Sequence, residues 1–126
     1  MKSLLTIFTF ISIVMFSSTS FARWTEVSRG KDGRIYYVDF DRIRKVDGYV
    51  YWWELADYVN PSKHGDLSAR AYAQGDCKLF RTKHLSVSFH KEPMGRGTGQ
   101  VITTKPKWMF PPPNSNMESI LKQVCN

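Results

Sequence analysis

The sequence predicts an α+β domain: a mainly antiparallel sheet of about six short strands, followed by one C-terminal helix tied to the sheet by a disulfide. Three observations carry this. Short alternating or aromatic segments, separated by turn residues, fill the chain from Trp24 to Phe110. Ser115-Asn116-Met117-Glu118 is a capping box, and behind it Met117, Ile120, Leu121 and Val124 fall at i, i+3, i+4 and i+7, the apolar stripe of a helix over 115–125. The chain has two cysteines, Cys77 in its middle and Cys125 at the end of that helix. So short a helix is marginal alone in water and needs a surface to lie on.

The first 22 residues read as a leader and are set aside from the fold. Lys2 supplies a positive start, Leu4 to Phe16 is apolar apart from small hydroxyl side chains, and Ser20-Phe21-Ala22 places small residues at −3 and −1 of a cleavage site. The other reading, an uncleaved anchor, needs about 20 apolar residues, which this segment lacks. No cysteine follows the cleavage site, so no lipid anchor is expected. The expected address is the periplasm, the cell surface or the medium, with no membrane span after cleavage. Residues 23–126 then form one domain. In an oxidising compartment the two cysteines have one intramolecular pairing available, Cys77–Cys125.

Trp24 to Ser28 alternates and reads as the first strand, and Lys31-Asp32-Gly33 turns the chain into a second over Arg34 to Phe40. Ile43 to Val46 meets Asp47-Gly48, favoured chemistry for a two-residue hairpin turn. Tyr49 to Asp57 is the most aromatic strand and is apolar on both faces. Asn60 to Asp66 is a loop, Leu67 to Ala73 a weaker strand, and Gly75-Asp76 a turn into Cys77. Residues 77–90 form the longest strand candidate. If Cys77 faces the helix, Leu85, Val87 and Phe89 share its side, and so do Arg81 and Lys83. Either a bulge or strand end near Thr82 flips the register, or the helix leaves a gap that the two cations line. Pro93 to Gly99 is a glycine-rich loop, Gln100 to Thr104 a short strand, and Pro111-Pro112-Pro113 a stiff connector into the helix.

One helix about 10–12 Å wide cannot cover a sheet of six strands, which spans roughly 24 Å. Either the sheet curls on its own core, or the aromatic run Tyr49, Tyr51, Trp52 and Trp53 is left for a partner, such as a second copy in a homodimer.

The chain carries 18 Lys and Arg against 11 Asp and Glu, and loss of the leader removes only Lys2. The excess is concentrated. Lys78, Arg81, Lys83, Lys91, Arg96, Lys105 and Lys107 stand against Glu92 alone within residues 78–107, whereas the rest of the domain is balanced. A field of one sign attracts anionic partners, more weakly as salt rises, or serves only solubility. Phe80, Phe89 and Trp108 interleave with these cations as in a single-strand nucleic-acid site, but export makes nucleic acid an unsuitable natural ligand. A sulfated glycan, a lipopolysaccharide or an acidic protein fits better.

Catalytic signatures are lacking. Gly95-Arg96-Gly97-Thr98-Gly99 has neither the lysine and hydroxyl of a phosphate loop nor a helix after it. His64, His84 and His90 are too few and too scattered for a metal site, and no cofactor is expected. Asp39 and Asp41 share parity and can pair as acid and base, but aspartate at a strand end is ordinary turn chemistry. There is no G-x-S-x-G and no H-E-x-x-H.

With these residues laid out, the chain from Trp24 to Cys125 resembles the surface-adhesin protein E family. The likeness rests on Trp24, Asp32-Gly33 before Tyr36-Tyr37-Val38-Asp39, the aromatic run ending at Trp53, and Asp76-Cys77 with Arg81. Met94-Gly95 with Gly97, Trp108 before prolines, and the closing Val124-Cys125 complete it. The resemblance implies a curved antiparallel sheet with its helix disulfide-tethered to the concave side. It also implies dimerisation and, for adhesin members, binding of host matrix proteins and plasminogen. It supplies no ligand signature residue by residue. The functional expectation is an exported, non-enzymatic binding module. The alternatives are a periplasmic accessory protein acting through itself or an envelope partner, and a small hydrolase or hydrolase inhibitor.

Overall fold

The structure, a computed structural model, describes residues 22–103 and 105–126, so the predicted leader lies outside the described residues except for Ala22, and so does Thr104. Seven strands precede one helix: β1 (Thr25–Arg29), β2 (Ile35–Val38), β3 (Arg44–Val46), β4 (Tyr49–Asp57), β5 (Ser68–Asp76), β6 (Arg81–His90), β7 (Gln100–Ile102) and α1 (Asn116–Val124). They form one antiparallel sheet in the order β1-β2-β4-β5-β6-β7. β2 pairs with Glu54–Asp57 and β3 with Tyr49–Tyr51, so the two lie end to end along one flank of β4. They are one interrupted strand, broken by a 3-10 turn at Phe40–Arg42 that Asp39 caps through the N–H of Asp41. Asp47 and Gly48 both take positive φ, as the β3–β4 hairpin turn requires.

The predicted long strand begins later than expected. Asp76 closes β5 and its Oδ1 accepts the N–H groups of Lys78 and Leu79, both at 3.1 Å, which winds Cys77 to Phe80 into a turn. The register flip is present, further on than Thr82. Ala73 faces His84 but Tyr72 faces Ser86, so Leu85 is the extra residue of a bulge. Thr82 and His84 therefore share the side of Ala73 and Trp52, and Val87 and Phe89 take that side after the bulge. Arg81 and Lys83 point to the other side.

The helix packs on the first of these sides. Ile120, Leu121 and Val124 close over Val38, Val50, Trp52 and Ala73, all nearly inaccessible. Trp52 is 1% exposed. It therefore leaves the predicted self-association set, because alternation along β4 turns it into the core while its neighbours turn out. The Ser115 hydroxyl accepts the Glu118 N–H at 3.1 Å, and Glu118 reaches back to Asn114 rather than to Ser115. Cys77 and Cys125 are bonded, with Cα atoms 5.7 Å apart. The Ser28 hydroxyl donates to Asn116 Oδ1, and Gln123 Nε2 donates to the Val27 carbonyl at 2.9 Å, which fixes α1 beside β1.

The opposite side carries a smaller core. The 91–99 loop folds over Leu55, 1% exposed, by donating the Met94 N–H to Asp57 Oδ1 (2.8 Å) and the Gly95 N–H to the Ser68 hydroxyl (2.9 Å). Gly95 has φ +67°, and a Cβ there would stand 3.1 Å from Leu55, so this is the close approach that the glycine-rich loop serves.

Candidate interaction face

With the helix on one side, alternation along β4 presents Tyr49, Tyr51 and Trp53 on the other. β5 sets Tyr72 among them: its ring stacks on Tyr51 at 6.2 Å and tilts against Trp53 at 4.9 Å. The Arg70 guanidinium lies 5.9 Å from the Trp53 ring. At the far end of β4, Trp108 stacks on Tyr49 at 5.9 Å. Trp108 arrives from the last quarter of the chain because Met109 exchanges two backbone hydrogen bonds with Thr82, at 2.8 and 2.9 Å. That pairing aims Arg81 and Lys83 at the indole, with Cζ and Nζ 4.3 and 4.4 Å from the ring. The result is a half-buried aromatic band with cations seated at both ends.

At the Trp108 end one of the two cations is paired with a carboxylate and the other is not. Asp76 pairs with Arg81 at 3.0 Å, and its carboxyl is held below the usual range by the Leu79 N–H first, with Arg81 and the Lys78 N–H adding to this against burial. Lys83 has no carboxylate in ion-pair reach among the described residues.

The other predicted basic residues are dispersed. Lys78 is exposed on the turn before β6. Lys91 pairs with Asp66 at 3.0 Å and donates to the His64 carbonyl, about 33 Å along the strand from Arg81. Arg96 is exposed on the 91–99 loop, and Lys105 and Lys107 on the segment leading to Trp108. Arg70 and Tyr72 escaped the sequence reading, although the alternation of β5 places them on the same side as Trp53.

A second cleft, of about 140 Å³, lies on the helix side between Trp52, Glu54, Thr82, His84 and the start of α1. Glu54 Oε1 meets His84 Nε2 at 2.6 Å, and Oε2 accepts the Trp52 indole N–H at 2.9 Å. This is a potential acid–base pair, but the adjacent Thr82 hydroxyl is engaged with the Gln74 carbonyl. Asp39 and Asp41 meet through a backbone N–H, which is turn chemistry. His84 and His90 lie on opposite sides of the sheet, His90 between Ser88 and the Arg96 carbonyl.

The hydrogen bond to Glu54 raises the His84 pKa above the ordinary imidazole value; burial opposes this and the Glu54 charge adds to it. A raised folded-state value means that the protonated ring stabilises the fold below the unfolded value of about 6.5, and that this is lost as pH rises through the folded value. Urea midpoints are therefore expected to fall from pH 6 to pH 8 in the native protein and to fall less in His84→Gln. Parallel pH profiles would count against it.

The surface-adhesin protein E profile matches residues 24–126. No curated protein matches the chain in sequence. Among solved structures, crystal form II of Haemophilus influenzae protein E superposes with a TM-score of 0.64 at 17% identity, covering 81% of this chain and 86% of that one. A crystal structure of protein E from non-typeable Haemophilus influenzae gives 0.60 at 16%, covering 86% and 78%. At such identities these likenesses concern the fold. With nearly the whole domain matched, the chain belongs to the surface-adhesin protein E family.

Proposed function

We propose that this is an exported, non-enzymatic binding module of the adhesin type. It meets an anionic partner, a host matrix protein or a polyanionic glycan, with the sheet face turned away from the helix. The observation that carries this reading is the seating of Arg81 and Lys83 on Trp108 beside Tyr49. An indole holds Lys83 in place by its quadrupole while leaving its outer side to an anion, and Arg81, shared with Asp76, keeps the anion there; this reduces the entropy lost on binding. Leader removal after Ala22 and display in the periplasm, on the surface or in the medium, without a lipid anchor, belong to the same reading.

Replacing Arg81 and Lys83 with alanine is expected to weaken heparin binding by about 3–10-fold at low salt, Lys83 being worth a few tenths to about 1 kcal/mol and Arg81, shared with Asp76, less. Unchanged salt elution of the folded double variant counts against this face.

A second reading is self-association as a periplasmic accessory protein, for which Tyr49, stacked on Trp108, and Tyr51 and Trp53, packed on Tyr72, offer the open face. Light scattering across concentration separates the two: a constant monomer mass removes the dimer.

A further inference from the structure

The interruption between β2 and β3 opens a cleft of about 220 Å³ beside Trp53, lined by Ala22, Trp24, Asp39, Arg42, Trp53 and Arg70. We propose that it binds one carboxylated sugar ring, the hydroxyls donating to Asp39 and the carboxylate facing Arg70. This names a ligand class for one end of the face described above and rests on that reading.

Asp39 is 1% exposed. Its Oδ1 is used by the Asp41 N–H, but Oδ2 accepts no hydrogen bond. The Arg42 Nε, 3.4 Å away, balances the charge without satisfying the acceptor. A buried carboxylate oxygen without a donor is costly, and a ligand hydroxyl is the donor that such a site lacks. Arg70 supplies the complementary group. Its guanidinium rests near the Trp53 ring and has no carboxylate in ion-pair reach among the described residues.

Trp24 and Trp53 add two half-buried indoles, surfaces for the apolar C–H face of a pyranose. Size and charge narrow the choice. With Ala22 as one wall the volume lies below the roughly 300 Å³ at which pockets for larger ligands begin; loss of Ala22 with the leader opens that wall, and one ring still fits between Trp24, Trp53 and Arg70. Two arginines against one carboxylate disfavour an organic cation, and a neutral sugar leaves Arg70 unused.

Ala22 is the last residue of the predicted leader, so the test uses the exported, processed protein. Tryptophan fluorescence and saturation-transfer NMR would follow titration with methyl β-D-glucuronide, and with methyl β-D-glucoside as the neutral counterpart. The expected result is saturable glucuronide binding, with the glucoside about tenfold weaker. Arg70→Gln should remove the preference for the acid, and Asp39→Asn should weaken both sugars about tenfold.

No saturable binding of the glucuronide well above about 10 mM overturns the proposal. So does equal affinity for the two sugars, or an unchanged preference in Arg70→Gln. Should Asp39→Asn unfold the turn it caps, Trp24→Leu takes its place, and undiminished binding there is equally fatal. Heparin retention that falls in the Arg81 and Lys83 variant without any glucuronide binding removes the pocket and leaves the face. Glucuronide binding with unchanged heparin elution does the reverse.

Discussion

Replacing Cys77 and Cys125 with serine is expected to lower stability by about 2–5 kcal/mol. The bond joins residues 48 positions apart, from the end of β5 to the end of α1. In the chain-entropy account, its loss returns most of the enclosed loop's freedom to the unfolded chain. The consequence is local as well as global. α1 has nine residues, too few to persist alone, and is held otherwise by Ile120, Leu121 and Val124 and by two side-chain hydrogen bonds to the β1 region. Without the bond, α1 should open more readily than the sheet and expose Val50, Trp52 and Ala73. Denaturant titration would show the lower midpoint, and hydrogen exchange would show the amides of 116–124 losing protection before those of β4 and β5. A double variant within about 0.5 kcal/mol of the native protein would place the anchor of the helix elsewhere.

Much of this fold was legible because local signals agree with one another. The capping box, the apolar stripe and the terminal cysteine all describe one helix lying on one surface, and Asp47-Gly48 states the hairpin in two residues. What escaped were the features in which a single side chain redirects the backbone. Asp76 turns Cys77 to Phe80 out of the strand by accepting two N–H groups, although the composition of 77–90 is that of a continuous strand. The bulge at Leu85 has no marker in the residue types around it, yet it decides which side Arg81 and Lys83 occupy. The break between β2 and β3 is written only in Asp39 and Asp41, ordinary turn residues whose effect depends on β4 spanning both halves.

The interaction face was less legible than the fold. Counting charge along residues 78–107 groups cations that β6 then separates, because a ten-residue strand carries them apart rather than together. Conversely, Trp108 reaches Tyr49, 59 positions away in sequence, through the backbone pairing of Met109 with Thr82. Parity alone distinguishes Trp52 from Trp53. The first is core and the second is surface, and applying the alternation to β5 as well would have added Arg70 and Tyr72.

Leu121→Ala is expected to cost about 2–5 kcal/mol, the range for deleting a fully buried leucine and leaving part of its cavity. Leu121 has no exposure and sits at the centre of the helix–sheet contact. Beneath it is Gly75, where an added Cβ would stand 2.9 Å from Leu121 Cδ1, 2.8 Å from the Trp52 ring and 3.0 Å from Val50. The glycine gives the helix room to lie close, and Gly75→Ala should cost about 1–3 kcal/mol by overpacking. The two changes should not add. Truncating Leu121 removes one of the three atoms that the new methyl meets, so Gly75→Ala should cost about 0.5–1 kcal/mol less in the Leu121→Ala background. Relief stops there, because the Trp52 ring remains and is held by its hydrogen bond to Glu54. A double-mutant cycle in urea measures the coupling. Strict additivity would mean that the helix already moves freely over Gly75, and that the close seating of α1 on β5 does not set its position.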